Sequence, residues 1–314
     1  MDILDRFLQG DIRALSRVIT LVENRVEGYR EVLGRLYRKA GRAVKIGLTG
    51  PPGAGKSSLV NCLVNQLIDE GVKVGVVAVD PSSPFTGGAL LGDRVRMNEF
   101  PIDGRVYFRS MASRGATGGL SAATDNVSVV LDAFGFDFIL IETVGVGQVE
   151  LDIVDACDTV VVIIVPESGD AVQTMKAGLM EVADIMVVNK ADRQGAESLA
   201  AELKYTLHLR KTAKDAWAVP VLTTQANQGI NVDKLRGRIR EHLEFIKANK
   251  HFDDHRRLQI QKKILAILSH RFRQEFLDRL TDQVDFDSIV DNVYHGHSDP
   301  FQVSDELYQK YAYS

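Results

Sequence analysis

A predicted phosphate-binding loop is the clearest chemical motif in the sequence. Residues 50–57, GPPGAGKS, match the pattern G-x-x-x-x-G-K-[ST], with an apolar segment before them and an amphipathic one after them. Glycines let main-chain N–H groups close around phosphate oxygens, and the following helix presents the positive end of its dipole. Lys56 is predicted to reach the β- and γ-phosphates, and the Ser57 hydroxyl to ligate Mg²⁺. A glycine-rich turn without a ligand is the alternative. The residues predicted to bind nucleotide here are Gly50, Pro51, Pro52, Gly53, Ala54, Gly55, Lys56, Ser57 and Ser58.

A second motif indicates which base the site accepts. Asn189, Lys190 and Asp192 belong to the sequence VVNKAD, which follows an apolar segment. A carboxylate at Asp192 can accept two hydrogen bonds from the N1–H and the exocyclic amine of guanine, whereas adenine offers no such pair of donors. The stem of Lys190 can lie along the base. The motif therefore favours GTP over ATP, and a simple Asn/Asp turn at a helix start is the alternative.

Acidic residues at the ends of predicted strands are candidates for Mg²⁺ binding and catalysis. Glu142 ends the segment FDFILIE, and Asp80 ends VGVVAVD. Asp93 lies further along, in a stretch rich in Pro, Gly, Ser and Thr that suits a loop ordered by a ligand. Carboxylates bind Mg²⁺ directly or through water. Taken singly, Asp80 and Asp93 are equally well explained as turn residues, and the less favoured alternative for Glu142 is an ordinary exposed residue at the end of a strand.

The elements that must position these motifs alternate between strands and helices. Several of the predicted strands are apolar almost throughout, as expected of strands covered on both faces. The alternation predicts an α/β fold, a P-loop NTPase with a mainly parallel sheet flanked by helices, and the order of the strands stays open. The predicted strands are VKIGLT, KVGVVAVD, RVYFRS, FDFILIET, TVVVIIVP, DIMVVNK and VPVLTT.

Helical segments precede and follow this region. Residues 1–42 are predicted to form an N-terminal helical extension, with Asp11 as an N-cap, residues 43–248 the P-loop GTPase domain, and residues 249–314 a C-terminal helical region. Apolar residues recur in the C-terminal region at spacings of three, four and seven, so this helix packs either on its own domain or against a second subunit. These residues are Leu258, Ile264, Leu265, Leu268, Phe272, Phe276 and Leu280.

Composition limits the possible partners and locations. The chain has 314 residues and a net charge of −4, which gives no support for binding to nucleic acid or to a membrane surface. The two cysteines form no C-x-x-C pair, and the paired histidines, His251 with His255 and His295 with His297, have no clear third ligand. No apolar run approaches the ~20 residues of a membrane span, and the acidic N-terminus does not resemble a signal peptide. A cytoplasmic protein is expected.

Four longer segments together resemble one known family. VDPSSPFTGGALLGDRVRM, RSMASRGATGGL, FDFILIETVGVGQVE and VVNKAD are similar to segments of the MeaB/ArgK family of P-loop GTPases, and the similarity runs over roughly residues 10 to 280. Members act as chaperones of the adenosylcobalamin-dependent methylmalonyl-CoA mutase; they gate delivery of the cofactor and protect the mutase. The resemblance implies a homodimer formed through the C-terminal helices. Because no Gln or Arg can be named as the residue that positions the attacking water, intrinsic GTP turnover is expected to be slow and to rise when the mutase binds.

The resemblance also implies roles for individual residues. Asp80 and Asp93 would belong to a first switch region that arranges Mg²⁺, and Glu142 to a second. Residues 166–176 look like a third switch, which makes Gln173 and Lys176 candidates for coupling to the mutase.

Two positions depart from the family pattern. Ser58 stands where Thr is common, and Gln225 precedes Ala226 where Ser-Ala is usual. The main-chain N–H of Ala226 is still expected to meet the guanine O6, with Gln225 beside it in the nucleotide site.

Two other functions compete with that of a mutase chaperone. A kinase acting on a protein or a metabolite, as once proposed for ArgK, would need an acceptor pocket and a base, and no separate substrate domain is visible. A nickel-insertion GTPase would need a His-rich or Cys-containing site near the nucleotide, and only Cys62 is near the loop.

Overall fold

The central sheet has seven strands, and every pair of neighbours is parallel. The computed structural model describes residues 2–80, 104–112, 122–143, 149–166, 178–209 and 216–311. The order across the sheet is β3-β2-β4-β1-β5-β6-β7. Each of the seven predicted strand segments contains a strand, so the predicted α/β fold is confirmed. The strands are β1 (Val44–Thr49), β2 (Val74–Asp80), β3 (Val106–Ala112), β4 (Phe138–Thr143), β5 (Thr159–Ile164), β6 (Ile185–Val188) and β7 (Val221–Thr223).

Helices cover both faces of this sheet, and each face has its own apolar core. This explains why the central strands carry apolar residues on both sides. The structure also contains a single helical turn, Met180–Val182, and a 3₁₀ turn, Ala226–Gln228. The helices up to residue 248 are α1 (Ile3–Leu8), α2 (Ile12–Glu23), α3 (Tyr29–Tyr37), α4 (Lys56–Ile68), α5 (Ala122–Phe134), α6 (Val149–Ala156), α7 (Ala196–His208) and α8 (Val232–Ala248).

The N-terminal helices pack on the helices that cover one face of the sheet, so their apolar surface is buried within the chain. Asp11 caps α2 as predicted, because its Oδ1 accepts from the N–H groups of Arg13 at 2.7 Å and Ala14 at 3.2 Å. The buried side of α2 faces α5. At the edge of the sheet, the guanidinium of Arg109 on β3 donates to the carboxylate of Glu23 at the end of α2. The N-terminal extension therefore forms part of the apolar core on the face of the sheet that α5 covers.

The C-terminal helices belong to a second compact unit. The chain divides into residues 1–253 and 254–314, and the predicted three-part division stays a prediction. Within the second unit, the rings of Phe276 and Tyr308 lie 6.3 Å apart, and Leu280 is buried. Most of the predicted apolar positions are exposed instead, including Leu265 at 56% and Phe272 at 59%. The helices are α9 (His251–Gln283), α10 (Phe286–Tyr294) and α11 (Pro300–Tyr311).

The described helices contain no stretch that combines the length and the apolar character of a membrane span.

A buried polar cluster joins α8 to the amino ends of β5 and β6. His242 Nδ1 lies 2.9 Å from Thr159 Oγ1, and its Nε2 lies 3.3 Å from Asp184 Oδ1. Asp184 Oδ2 also accepts from the N–H of Val160 at 2.8 Å, and the indole N–H of Trp217 donates to the Asp184 carbonyl at 2.7 Å. Burial raises the pKa of the Asp184 carboxyl to about 7 and lowers the pKa of His242 to about 4. The pair therefore holds one proton between these two pH values.

This cluster predicts opposite pH dependences of stability in two variants. In Asp184→Asn, stability should fall as pH drops from about 6.5 to about 4, because unfolded His242 takes up a proton that the buried ring refuses. In His242→Gln, stability should fall as pH rises from about 4 to about 7, because folded Asp184 keeps a proton that the unfolded chain has lost. We expect changes of about 1–2 kcal/mol, reduced by the partial exposure of Asp184, in urea unfolding. Equal slopes in the two variants would contradict this assignment.

Candidate functional site

The phosphate-binding loop joins the carboxyl end of β1 to the first turn of α4, as predicted. Gly50 and Gly55 both have positive φ, at 144° and 86°. A Cβ at Gly50 would lie 1.9 Å from the carbonyl oxygen of Ile163, and one at Gly55 would lie 2.3 Å from the side-chain nitrogen of Asn189. Only glycine fits at these two positions, because atoms of Ile163 and Asn189 occupy the space that a Cβ would need.

Lys56 is buried and folds back over the loop. Its Nζ donates to the carbonyl oxygens of Gly50 at 2.7 Å and Pro51 at 3.0 Å. The ammonium group therefore stands at the mouth of the loop, where three donors can be shared between carbonyl and phosphate oxygens.

Ser57 and Glu142 meet next to this loop. Ser57 Oγ donates to Glu142 Oε1 at 2.6 Å, and Glu142 is buried rather than exposed. Ser57 lies in the first turn of α4, shortly after β1, and Glu142 lies on β4, which pairs with β1 so that Leu48 is opposite Glu142. The structure thus brings together two of the oxygen groups that the sequence assigned to Mg²⁺. The donor type suits this ion, which prefers hard oxygen ligands.

The remaining acidic candidates are only partly described. The β2–β4 register pairs Ala78 with Glu142, so Asp80 lies two residues further along β2 at the same edge of the sheet. Asp93, Gln173 and Lys176 lie outside the described residues.

Asn189 connects the phosphate-binding loop to the predicted base-binding loops. Its Nδ2 donates to the carbonyl oxygen of Ala54 at 2.8 Å. Its Oδ1 accepts from the hydroxyl of Thr224 at 3.0 Å and from the N–H of Ala226 at 3.1 Å. Because Asn189 is buried and all three contacts are long-range in sequence, this side chain fixes three loops at the carboxyl edge of the sheet.

The other base-site candidates surround this connection. Lys190 adopts a positive φ of 58°, and Asp192 is exposed beyond the end of β6. The N–H of Gln225 donates to the Ile230 carbonyl at 3.2 Å. The N–H of Ala226, expected to meet guanine, already donates to Asn189, so a base would have to share this donor.

Two residues near the base loops were missed by the sequence reasoning. Thr224 anchors Asn189, and its position directly after β7 was the available signal. Cys62 lies on α4, and its Sγ is 3.0 Å from the carbonyl oxygen of Ala226. This contact connects α4 to the loop that contains Ala226. Nothing local in the sequence indicates this contact, which spans 164 residues.

The paired histidines lie in the C-terminal helical region, with His251 and His255 on α9 and His295 and His297 directly after α10. Within the described ranges, no group of three or more His, Cys, Asp or Glu residues could hold a metal ion. The ring of Trp217 packs against those of His242 and Phe245, at centroid distances of 5.0 and 5.4 Å.

The fold and the loop define a P-loop nucleotide-binding protein, and comparison with known proteins narrows this class. Residues 15–281 match the family described as methylmalonyl-CoA mutase-associated GTPase MeaB. The chain therefore belongs to the MeaB family, and it is a GTP-hydrolysing enzyme.

Individual relatives agree with this family. A provisionally named GTPase of Pyrococcus abyssi is 45% identical over 308 residues, covering 98% of this chain and 95% of the relative. GTPase ArgK of Escherichia coli is 34% identical over 289 residues, with 90% and 86% covered. A crystal structure titled LAO/AO transport system kinase superposes with a TM-score of 0.72 at 26% identity, covering 98% of this chain and 95% of that one.

Two glycines of the loop provide a matched stability test. Gly50→Ala should lower the free energy of unfolding by about 3 kcal/mol or more, since the new Cβ meets the rigid carbonyl of Ile163. Gly53→Ala is the control, because its φ is also positive, at 74°, but no atom lies within 4 Å of the added Cβ. The control should lose only about 1–2 kcal/mol. Urea unfolding without nucleotide measures both, and equal losses would show that strand contact does not restrict the loop.

Proposed function

We propose that the chain is a GTP-dependent chaperone that gates adenosylcobalamin delivery to methylmalonyl-CoA mutase, or to a close relative of this mutase, and protects it. The observation that carries the proposal is the match of residues 15–281 to a family described by its association with that mutase. The site geometry supports the GTPase half of the proposal, and the family description supports the mutase half.

In the proposed hydrolysis, the loop holds the phosphates while water attacks the γ-phosphate in line with the leaving oxygen. Main-chain N–H groups of residues 50–58 bind the phosphates. Lys56 exchanges its carbonyl contacts at Gly50 and Pro51 for phosphate oxygens, because an ammonium gains more from a charged acceptor than from a neutral one. The charge that develops on the transferring group is thereby stabilised.

Ser57 and Glu142 are the residues we assign to Mg²⁺. The hydroxyl of Ser57 would turn from Glu142 toward the ion, and Glu142 would contact it directly or through water. When bound, Mg²⁺ supplies positive charge to the β- and γ-phosphate oxygens. Asp80 and Asp93 are proposed to complete this arrangement.

Base recognition is assigned to the loops that Asn189 connects. Asp192 accepts two hydrogen bonds from guanine, and its exposure leaves the carboxylate accessible to a base. The stem of Lys190 lies along the ring, and Ala226, with Gln225 beside it, offers its N–H to the guanine O6 in a shared hydrogen bond.

Partner contacts are assigned to two regions. Gln173 and Lys176 are proposed to couple nucleotide state to the mutase. The exposed apolar side chains of α9 are proposed to form a homodimer, since an apolar surface of this kind is typical of a subunit contact. The protein is proposed to act in the cytoplasm.

A kinase acting on a protein is the second candidate. It is favoured by one observation, the likeness to a structure titled as a transport system kinase.

The proposed partnership predicts that the mutase accelerates GTP turnover. Steady-state phosphate release should rise at least about tenfold when the mutase of the same organism is added, as partner proteins do for other P-loop GTPases. Lys56→Ala is the control and should show no turnover with or without the mutase. An unchanged rate would contradict the partnership, and transfer of label from γ-labelled GTP to a protein would favour the kinase.

The proposed base contact predicts a selective loss of affinity. Asp192→Asn should weaken GDP binding about 100-fold, because the amide offers only one acceptor and places a donor against the guanine donors. Weak ADP binding should stay unchanged. The exposed Asp69, at the end of α4, provides the matched control Asp69→Asn, which should bind both nucleotides as the wild type does. Calorimetric titration measures both; an unchanged preference for GDP in Asp192→Asn would exclude this role.

A further inference from the structure

A cavity of about 480 Å³ lies at the opposite edge of the sheet from the phosphate-binding loop. It is formed where the chain leaves α3 and enters β1, and where it leaves α5 and enters β4. β1 separates the cavity from the loop, and a strand of six residues spans roughly 20 Å. The cavity is therefore distinct from the nucleotide site. Its lining residues are Arg38, Lys39, Arg42, Asp132, Ala133, Gly135, Phe136 and Asp137.

The two carboxylates in the wall are engaged by the main chain. Asp132 accepts from three consecutive N–H groups, at 2.6 Å from Gly41, 3.1 Å from Arg42 and 3.0 Å from Ala43. Asp137 Oδ2 accepts from the N–H of Lys73 at 2.8 Å. These hydrogen bonds fix the loops that line the cavity. They also give both carboxylates main-chain N–H groups as partners.

The three cations of the lining have no such partners. Within the described ranges, no hydrogen bond or ion pair involves the side chains of Arg38, Lys39 and Arg42, and all three are exposed. Some arginines elsewhere form ion pairs, as Arg236 does with Glu70 at 2.7 Å. Two guanidinium groups and one ammonium group therefore share one concavity with two carboxylates that are bonded to main-chain N–H groups, so cationic side chains outnumber carboxylates in the lining.

We propose that this cavity binds a small, multiply charged anion that carries phosphate groups. Guanidinium groups match phosphate oxygens with paired N–H donors, and an ammonium adds a point charge. The volume lies within the range of small-molecule sites. The proposal does not depend on the mutase partnership.

Calorimetric titration of the full chain with inorganic pyrophosphate tests this assignment. GDP is supplied at one equivalent per chain, which fills the phosphate-binding loop without leaving free GDP to compete for the cavity, and free Mg²⁺ is buffered at one value throughout. We expect one pyrophosphate per chain, and a loss of affinity of about tenfold in Arg38→Gln and in Arg42→Gln. Arg42→Lys should lose less than Arg42→Gln, since it keeps the charge. Arg13→Gln, an exposed arginine on α2, is the control and should bind as the wild type does.

Several outcomes would overturn the assignment. These are no pyrophosphate binding to the GDP-saturated chain, equal binding in Arg42→Gln and Arg13→Gln, and tighter binding of hexaglutamate than of pyrophosphate. The last result would identify the cavity as a contact for an acidic protein segment. GTP hydrolysis at the wild-type rate in Arg38→Gln and Arg42→Gln shows that the variants are folded, so a loss of pyrophosphate binding cannot be attributed to misfolding.

Discussion

The site depends on one buried side chain, Asn189, which holds three loops at the carboxyl edge of a parallel sheet. Its amide donates to the phosphate-binding loop at Ala54 and accepts from Thr224 and Ala226 behind the predicted base site. A parallel sheet places the ends of β1, β6 and β7 at one edge, but it does not fix the distances between their loops. Asn189 supplies that constraint, so the phosphate-binding loop and the predicted base-binding loops form a single connected surface.

The sequence was sufficient to predict the local elements and the motif residues. Each strand is a short, mostly apolar run, and the loop residues 50–57 occupy the predicted strand-to-helix junction. Their mutual contacts could not be predicted, because Asn189 and Ala54 are 135 residues apart and pairing depends on the strand order. The hydrogen bond from the Ala226 N–H to Asn189 could not be predicted for the same reason. In the sequence, the charged residues around Arg38 resemble an ordinary solvated helix end. Their position in a concavity is evident only from the structure, in which Asp132 accepts hydrogen bonds from the main chain of residues 41–43.

The charged side chains at the two edges of the sheet have different hydrogen-bond partners. At the carboxyl edge, Lys56, Ser57 and Glu142 are buried or partly buried and bonded to one another or to the main chain, which prepares them for a charged ligand. At the amino edge, carboxylates such as Asp132 and Asp184 cap main-chain N–H groups and fix the strand starts. The residues at the first edge are those that we propose for GTP hydrolysis, and the hydrogen bonds at the second edge hold the starts of the strands that carry the loops.

Binding of separate nucleotide fragments to Asn189→Ala tests the central claim most directly. If Asn189 connects both halves of the site, the variant should lose affinity for guanosine and also for pyrophosphate at the phosphate-binding loop, each by about tenfold. The two fragments are measured separately by calorimetry, in the Arg42→Gln background so that the distant cavity does not contribute. A loss confined to guanosine, with pyrophosphate binding unchanged, would contradict the account, because the phosphate-binding loop would then be held without Asn189.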